Sequence, residues 1–138
     1  MTRTKGSDEA SIQRTFHMNL IRFGGPRVLG FSVPNERKGS RISTGKLKAQ
    51  GLMPGACDYI VLWHGGGALI EFKTATGRVS TSQEAFGGKA SAIGWPYRVC
   101  RSWQEAFAFL EQVGAPLAKL LRCEGGERFV NAGEGKLL

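Results

Sequence analysis

The chain has 138 residues, 41% hydrophobic and 22% charged, which suits a single globular domain with a core of its own and no need of disulfide support. No apolar stretch approaches a membrane span, and the polar start Met1-Thr2-Arg3-Thr4-Lys5-Gly6 lacks the apolar core of a secretory signal, so a cytoplasmic setting is expected. Nineteen Lys and Arg against eleven Asp and Glu leave a net charge of +8, which favours a polyanionic partner such as nucleic acid, because covering phosphates releases their counterions. Cys57, Cys100 and Cys123 form no close pair and have no His at zinc-finger spacing, so they read as small, partly buried thiols of a reducing compartment.

Ser7 can cap a first helix with Asp8 and Glu9 in its first turn, where acids meet the positive end of the helix dipole. Ile12, Phe16, Leu20 and Phe23 then form an apolar stripe that Gly24-Gly25-Pro26 stops. Val28 to Val33 predicts a short strand. The stretch from Glu36 to Gln50 is strongly basic (Arg37, Lys38, Arg41, Lys46 and Lys48) and predicts a loop followed by a short helix around residues 46–49. Such a run is either a solvated surface or a phosphate-contacting segment. Cys57 to Trp63 and Ala68 to Thr74 predict two strands joined as a hairpin through His64-Gly65-Gly66-Gly67.

Ser80 with Gln83, and Thr81 with Glu84, both fit a capping box for a helix carrying Phe86, Ala90 and Ile93, although Gly87-Gly88 weakens that helix. Pro96 to Arg101 predicts a further strand. Ser102-Trp103-Gln104-Glu105 caps a last clear helix with Trp103, Ala106, Phe107 and Leu110 facing inward and Gly114 ending it. Leu117 to Leu121 fits a short helix. The order helix, strand, hairpin, helix, strand, helix predicts an α/β fold with a mixed central sheet flanked by helices. The chain reads as one domain over 1–138, with a core over about 7–114 and a C-terminal extension over 115–138.

Along the second hairpin strand side chains alternate faces, so Glu71 and Lys73 share one face while Ile70 and Phe72 point to the other. Counting back through the hairpin places Asp58 roughly opposite them, within one register step. Two carboxylates and an ammonium on one patch of sheet supply the parts of phosphodiester cleavage. Hard carboxylate oxygens hold Mg²⁺ or Mn²⁺, the ion activates a water, and the lysine orients that water or offsets charge on the phosphate. A plain cross-strand salt bridge uses the same residues.

Gly51-Leu52-Met53-Pro54-Gly55-Ala56-Cys57-Asp58, Ile70-Glu71-Phe72-Lys73, Ser80-Thr81-Ser82-Gln83 and Gly94-Trp95-Pro96-Tyr97-Arg98-Val99 occur in that order and at compatible spacings. Together they resemble the PD-(D/E)xK nucleases, whose core is restriction-endonuclease-like, and more narrowly the stand-alone virus-type replication-repair nuclease (VRR-NUC) domain. Glu9 with Gln13 on the first helix, and Val33-Pro34-Asn35 before the basic run, are similar to that family too. The resemblance covers about Ser7 to Gly114 and departs at Cys57, where proline is common.

The resemblance implies Asp58 and Glu71 as metal ligands, Lys73 as the catalytic lysine, and the main-chain oxygen of Phe72 as a further ligand. It puts Glu9 near the metal, against the simpler role of a dipole-favoured acid. Gln83 is either a residue at the edge of the site or a plain helix cap. Asn35, Arg37, Lys38, Arg41, Lys46 and Lys48 would contact nucleic acid. The activity implied is cleavage of branched DNA such as Holliday junctions, by a homodimer using Mg²⁺ or Mn²⁺. A non-catalytic nucleic-acid-binding module and a nuclease of the same superfamily with another substrate are the alternatives. His17 and His64 have no metal-spaced partners and read as structural or solvent-facing.

Overall fold

The first helix, α1 (Glu9–Gly24), is capped by Asp8 and not by Ser7: Asp8 Oδ1 accepts from the Ser11 N–H at 2.6 Å. A carboxylate there satisfies a free donor and meets the positive helix end, so Asp8 does its work just outside the first turn. Ser7 lies outside the described residues, which in this computed structural model are 8–34, 44–123 and 126–130. Ile12, Phe16 and Leu20 are buried at the predicted spacing, and a short 3-10 turn over Gly25–Arg27 redirects the chain into β1 (Val28–Ser32).

After α2 (Thr44–Ala49), β2 (Tyr59–Trp63) and β3 (Gly66–Phe72) form the predicted hairpin. Gly66 and Gly67 belong to its second strand, leaving His64-Gly65 as the turn. Gly65 has φ +81°, a conformation that favours glycine. The chain then crosses through α3 (Thr81–Ala92) to β4 (Tyr97–Cys100), which pairs parallel to β3, and continues into α4 (Trp103–Gln112). The sheet order is β1-β2-β3-β4, antiparallel except for the last pair. This is the mixed, helix-flanked sheet that the sequence predicts.

One sheet face carries Tyr59, Val61, Ala68, Ile70, Phe72 and Cys100, all buried against Ile12, Phe16 and Leu20 of α1 and Ala106, Phe109 and Leu110 of α4. Phe16 sits at the centre, with ring centroids of Tyr59, Phe72 and Phe107 at 5.0, 5.2 and 5.7 Å. Edge-on ring contacts of this kind add to the burial energy and fix α1 across the sheet. That fixes Glu9, at the start of α1, near the end of β3.

The other face meets α3 through Phe86 and Tyr97, whose rings lie 5.8 Å apart. The double glycine does not interrupt α3. A Cβ on Gly87 would come within 2.4 Å of the Tyr97 ring, so Gly87 is what lets the helix approach, while Gly88 faces open space.

The tail differs from the helix expected over Leu117 to Leu121. Residues Lys119–Cys123 form strand β5, paired antiparallel with β6 (Gly126–Val130). A five-residue apolar run is too short for periodicity to separate helix from strand, and pairing with a later segment decides it. Packing also reaches past Gly114: Ala115, Leu117 and Ala118 are buried, and the Ala118 N–H donates to the Phe23 carbonyl at 2.9 Å.

Candidate active site

Asp58 stands one residue before β2, and its main-chain oxygen accepts from the Val33 N–H at 2.8 Å, so it is held in the ladder with β1. The register pairs Tyr59 with Ile70, which sets Asp58 against Glu71 one step further on. The Asp58 side chain is fixed as well: Oδ2 accepts from the Phe72 N–H at 2.8 Å. Glu71 pairs with Val99 of β4, and the Lys73 N–H donates to the Cys100 carbonyl at 3.0 Å, so both lie in the parallel ladder at the middle of the sheet.

Glu71 is 1% exposed and Lys73 9%, so the two faces of this strand are both closed to water. That excludes the solvent-facing salt bridge as the use of these residues. Lys73 Nζ pairs instead with Glu9 Oε1 at 3.6 Å, across from α1, and the Glu9 side chain is half exposed. Gln83, in the first turn of α3, makes contacts of both kinds. Its Oε1 accepts from the Ser80 N–H at 2.8 Å in a complete capping box, and its Nε2 donates to Glu71 Oε1 at 2.6 Å.

Glu71 is therefore half satisfied. Oε1 has Gln83, while Oε2 is buried with no hydrogen-bond partner. An orphaned carboxylate oxygen is costly in a protein interior and demands a proton or a cation. Burial, then the neighbouring Asp58 carboxylate, push the Glu71 carboxyl well above the ordinary range, to about 8, and the Lys73 ammonium only partly opposes them. Burial also raises the Cys57 thiol to about 11, so the residue at the usual proline position is an inert packing group.

The donor set suits a hard divalent cation: the free Glu71 oxygen and the Asp58 carboxylate, in a buried patch with surplus negative charge. Among the described residues no group of three or more His, Cys, Asp and Glu side chains converges, since Glu9 is turned to Lys73. A third protein oxygen would have to come from the main chain. Of the residues expected to contact nucleic acid, Lys46 and Lys48 lie exposed on the short helix α2, while Asn35, Arg37, Lys38 and Arg41 fall outside the described residues.

Three features escape a reading of sequence alone. Arg101 donates through Nη1 to the carbonyls of Thr74 and Gly77, at 2.6 and 2.8 Å, and so ties down the turn that follows Lys73. The Tyr97 hydroxyl is buried without a partner, and its phenol is raised by burial and by the Glu71 carboxylate. His17, expected to be structural or solvent-facing, has its Nδ1 2.5 Å from the Tyr59 hydroxyl. The first and third pairings join residues 24 or more positions apart, and no local motif signals them.

The chain is similar to the solved structure of a "VRR_NUC domain protein", with a TM-score of 0.64 and 16% identity over 80% of this chain and 91% of that one. The fold is that of a VRR-NUC domain. No protein-family model and no curated protein matches the sequence. That similarity bears out the fold class expected from the sequence, a mixed sheet flanked by helices. No helix among the described residues is long and apolar enough to cross a membrane.

Proposed function

We propose that the protein is a divalent-metal-dependent DNA endonuclease that hydrolyses phosphodiester bonds in branched DNA such as Holliday junctions. The single observation that carries this is the buried, unpartnered Oε2 of Glu71 beside Asp58, in a VRR-NUC fold. Asp58 and Glu71 would hold Mg²⁺ or Mn²⁺, with the Phe72 main-chain oxygen as the further ligand. Bound there, the cation lowers the pKa of a water and offsets charge on the phosphate.

The chain's own groups do the rest. The Phe72 N–H and Gln83 amide fix one oxygen of each carboxylate, so the acids are aimed before any ligand arrives. Lys73 brings an ammonium to the phosphate or to the attacking water, and Glu9 pairs with it. Net charge of +8 draws the DNA to the site, with Lys46, Lys48 and the segment around Asn35, Arg37, Lys38 and Arg41 as backbone contacts.

A homodimer belongs to the same proposal, since two sites about a two-fold axis suit a branched, near-symmetric substrate. Exposed Leu29, Leu62, Ile93 and Trp95 support it.

The test is incubation of the purified chain with linear duplex, flap, fork and four-way-junction DNA in Mg²⁺, Mn²⁺ or chelator. Cutting of branched DNA with either ion, and none in chelator, is expected. Lys73→Ala should abolish cutting and leave DNA binding in place. A failure to cut any substrate would overturn the proposal.

A further inference from the structure

Between α1 and the β1–β2 pair lies a groove of about 380 Å³ lined by Ala10, Gln13, Arg14, His17, Ser32 and Tyr59. None of the six is acidic, in a chain that carries +8. Five of them carry N–H or O–H donors, and with the Tyr59 hydroxyl engaged by His17, those of Gln13, Arg14, His17 and Ser32 are left to the groove. Ala10 and the Arg14 stem add carbon surface, with the buried Tyr59 ring behind them.

The histidine ring is held in place by one contact. The Tyr59 side chain is fully buried, and its hydroxyl meets His17 Nδ1 at 2.5 Å. A buried phenol places its proton on an available acceptor, and this nitrogen is the acceptor in contact. Tyr59 as donor makes His17 Nδ1 the acceptor and leaves the ring hydrogen on Nε2, an assignment from the network. The ring lining the groove thus offers an N–H donor, which suits an anion.

The groove also has a fixed place relative to the carboxylates. Glu9, Gln13 and His17 are four residues apart, so they follow one face of α1 at about 6 Å per step. Glu9 meets Lys73, and Ser32 pairs with Tyr59, the residue after Asp58. From Glu9, which meets Lys73, the donors of Gln13 and His17 therefore lie about 6–12 Å along α1, the axial length of roughly two to four nucleotides of one strand.

We propose that this groove is a second nucleic-acid subsite, holding a sugar–phosphate unit of the substrate strand about two to four nucleotides from the phosphate at Lys73. Gln13, Arg14, His17 and Ser32 donate to the phosphate, and the carbon surface takes the sugar. The groove fixes the distance between a held backbone position and the cleaved one. It rests on the reading of Asp58, Glu71 and Lys73 as a nuclease site.

The test measures binding of the full chain to fluorescein-labelled four-way-junction DNA in chelator, so that no cleavage is needed. Neutral methylphosphonate linkages are placed singly at successive positions. Arg14→Ala is the main variant, since Arg14 is exposed and, among the described residues, its Nε bonds only to the Ala10 carbonyl of its own helix. His17→Phe, which keeps the ring volume, is the second. Arg14→Ala is expected to weaken binding by about tenfold and to lower the salt slope by about one. One neutral linkage should weaken the wild type and have no further effect on Arg14→Ala, as coupled partners do. Equal binding by wild type and both variants at every salt concentration, or wild-type indifference to every neutral linkage, would overturn the proposal. The two readings fail separately: no cutting with the linkage signature intact removes the nuclease and keeps the groove, whereas cutting without the signature removes the groove alone.

Discussion

Gln83 joins the start of a helix to the centre of the sheet: its amide oxygen caps Ser80 and its amide nitrogen lies 2.6 Å from Glu71 Oε1. One side chain thus sets both where α3 begins and how the buried carboxylate is aimed. Gln83→Ala should lower stability by about 1 kcal/mol through the lost cap. It should also lower metal-dependent cutting by about tenfold to a hundredfold through the loosened carboxylate. Thermal unfolding and cleavage rates check both. Gln83→Ala cutting at the wild-type rate would assign the residue to capping alone.

Glu71 makes stability depend on pH in a definite direction. Its carboxyl rises from about 4.5 unfolded to about 8 folded, mainly by burial and the Asp58 charge. Between those values the folded protein keeps a proton that the unfolded chain has lost. The contribution is full below about 4.5 and is lost as pH rises through 8. The metal-free chain should therefore melt at a lower temperature at pH 8 than at pH 5, and Glu71→Gln should flatten that slope. Parallel melting curves for wild type and Glu71→Gln across this range, in chelator, would count against the buried-acid account.

The same pair of proteins tests the ion without any cleavage assay. Mg²⁺ or Mn²⁺ at pH 8 should raise the melting temperature of the wild type, because an ion that binds only the folded state stabilises it by mass action. Glu71→Gln and Asp58→Asn should each lose most of that rise. Equal rises in all three proteins would place ion binding elsewhere.

The adjacent glycines of α3 should respond in opposite senses. Gly88 faces open space, so Gly88→Ala is expected to stabilise by about 0.5–1 kcal/mol through helix propensity. A Cβ on Gly87 would lie 2.4 Å from Tyr97 Cε1, and Gly87→Ala should destabilise by about 1–3 kcal/mol as the helix is forced off the sheet. Chemical unfolding of the two variants decides it, and the same sign for both would refute the packing argument.

The exposed apolar surface offers a test of the proposed dimer. Leu62 and Trp95 border one spot, since a Cβ on Gly67 would lie 3.0 and 3.1 Å from them, and Leu29 pairs with Leu62 in the β1–β2 register. Trp95 is 46% exposed and Ile93 76%. Sedimentation should show a dimer for the wild type and a monomer for an Ile93→Glu, Trp95→Glu double variant. A wild-type monomer at every concentration would remove the dimer from the proposal.

The amino-acid sequence by itself determined the elements and their order as far as α4. Periodicity set α1 and the hairpin, capping residues set α3 and α4, and glycines set the turns, because each of these is decided by neighbours a few residues apart. It also put Asp58, Glu71 and Lys73 together within a register step, since a short hairpin leaves little freedom. Only the tertiary structure decided that Glu71 and Lys73 are buried, that Lys73 turns to Glu9 and Gln83 to Glu71, and that Tyr59 holds His17. The tail followed the same division, with pairing to β6 turning an expected helix into a strand. Burial and long-range hydrogen bonds depend on how whole elements pack, and in a chain of alternating faces the sequence names the face without saying what will cover it.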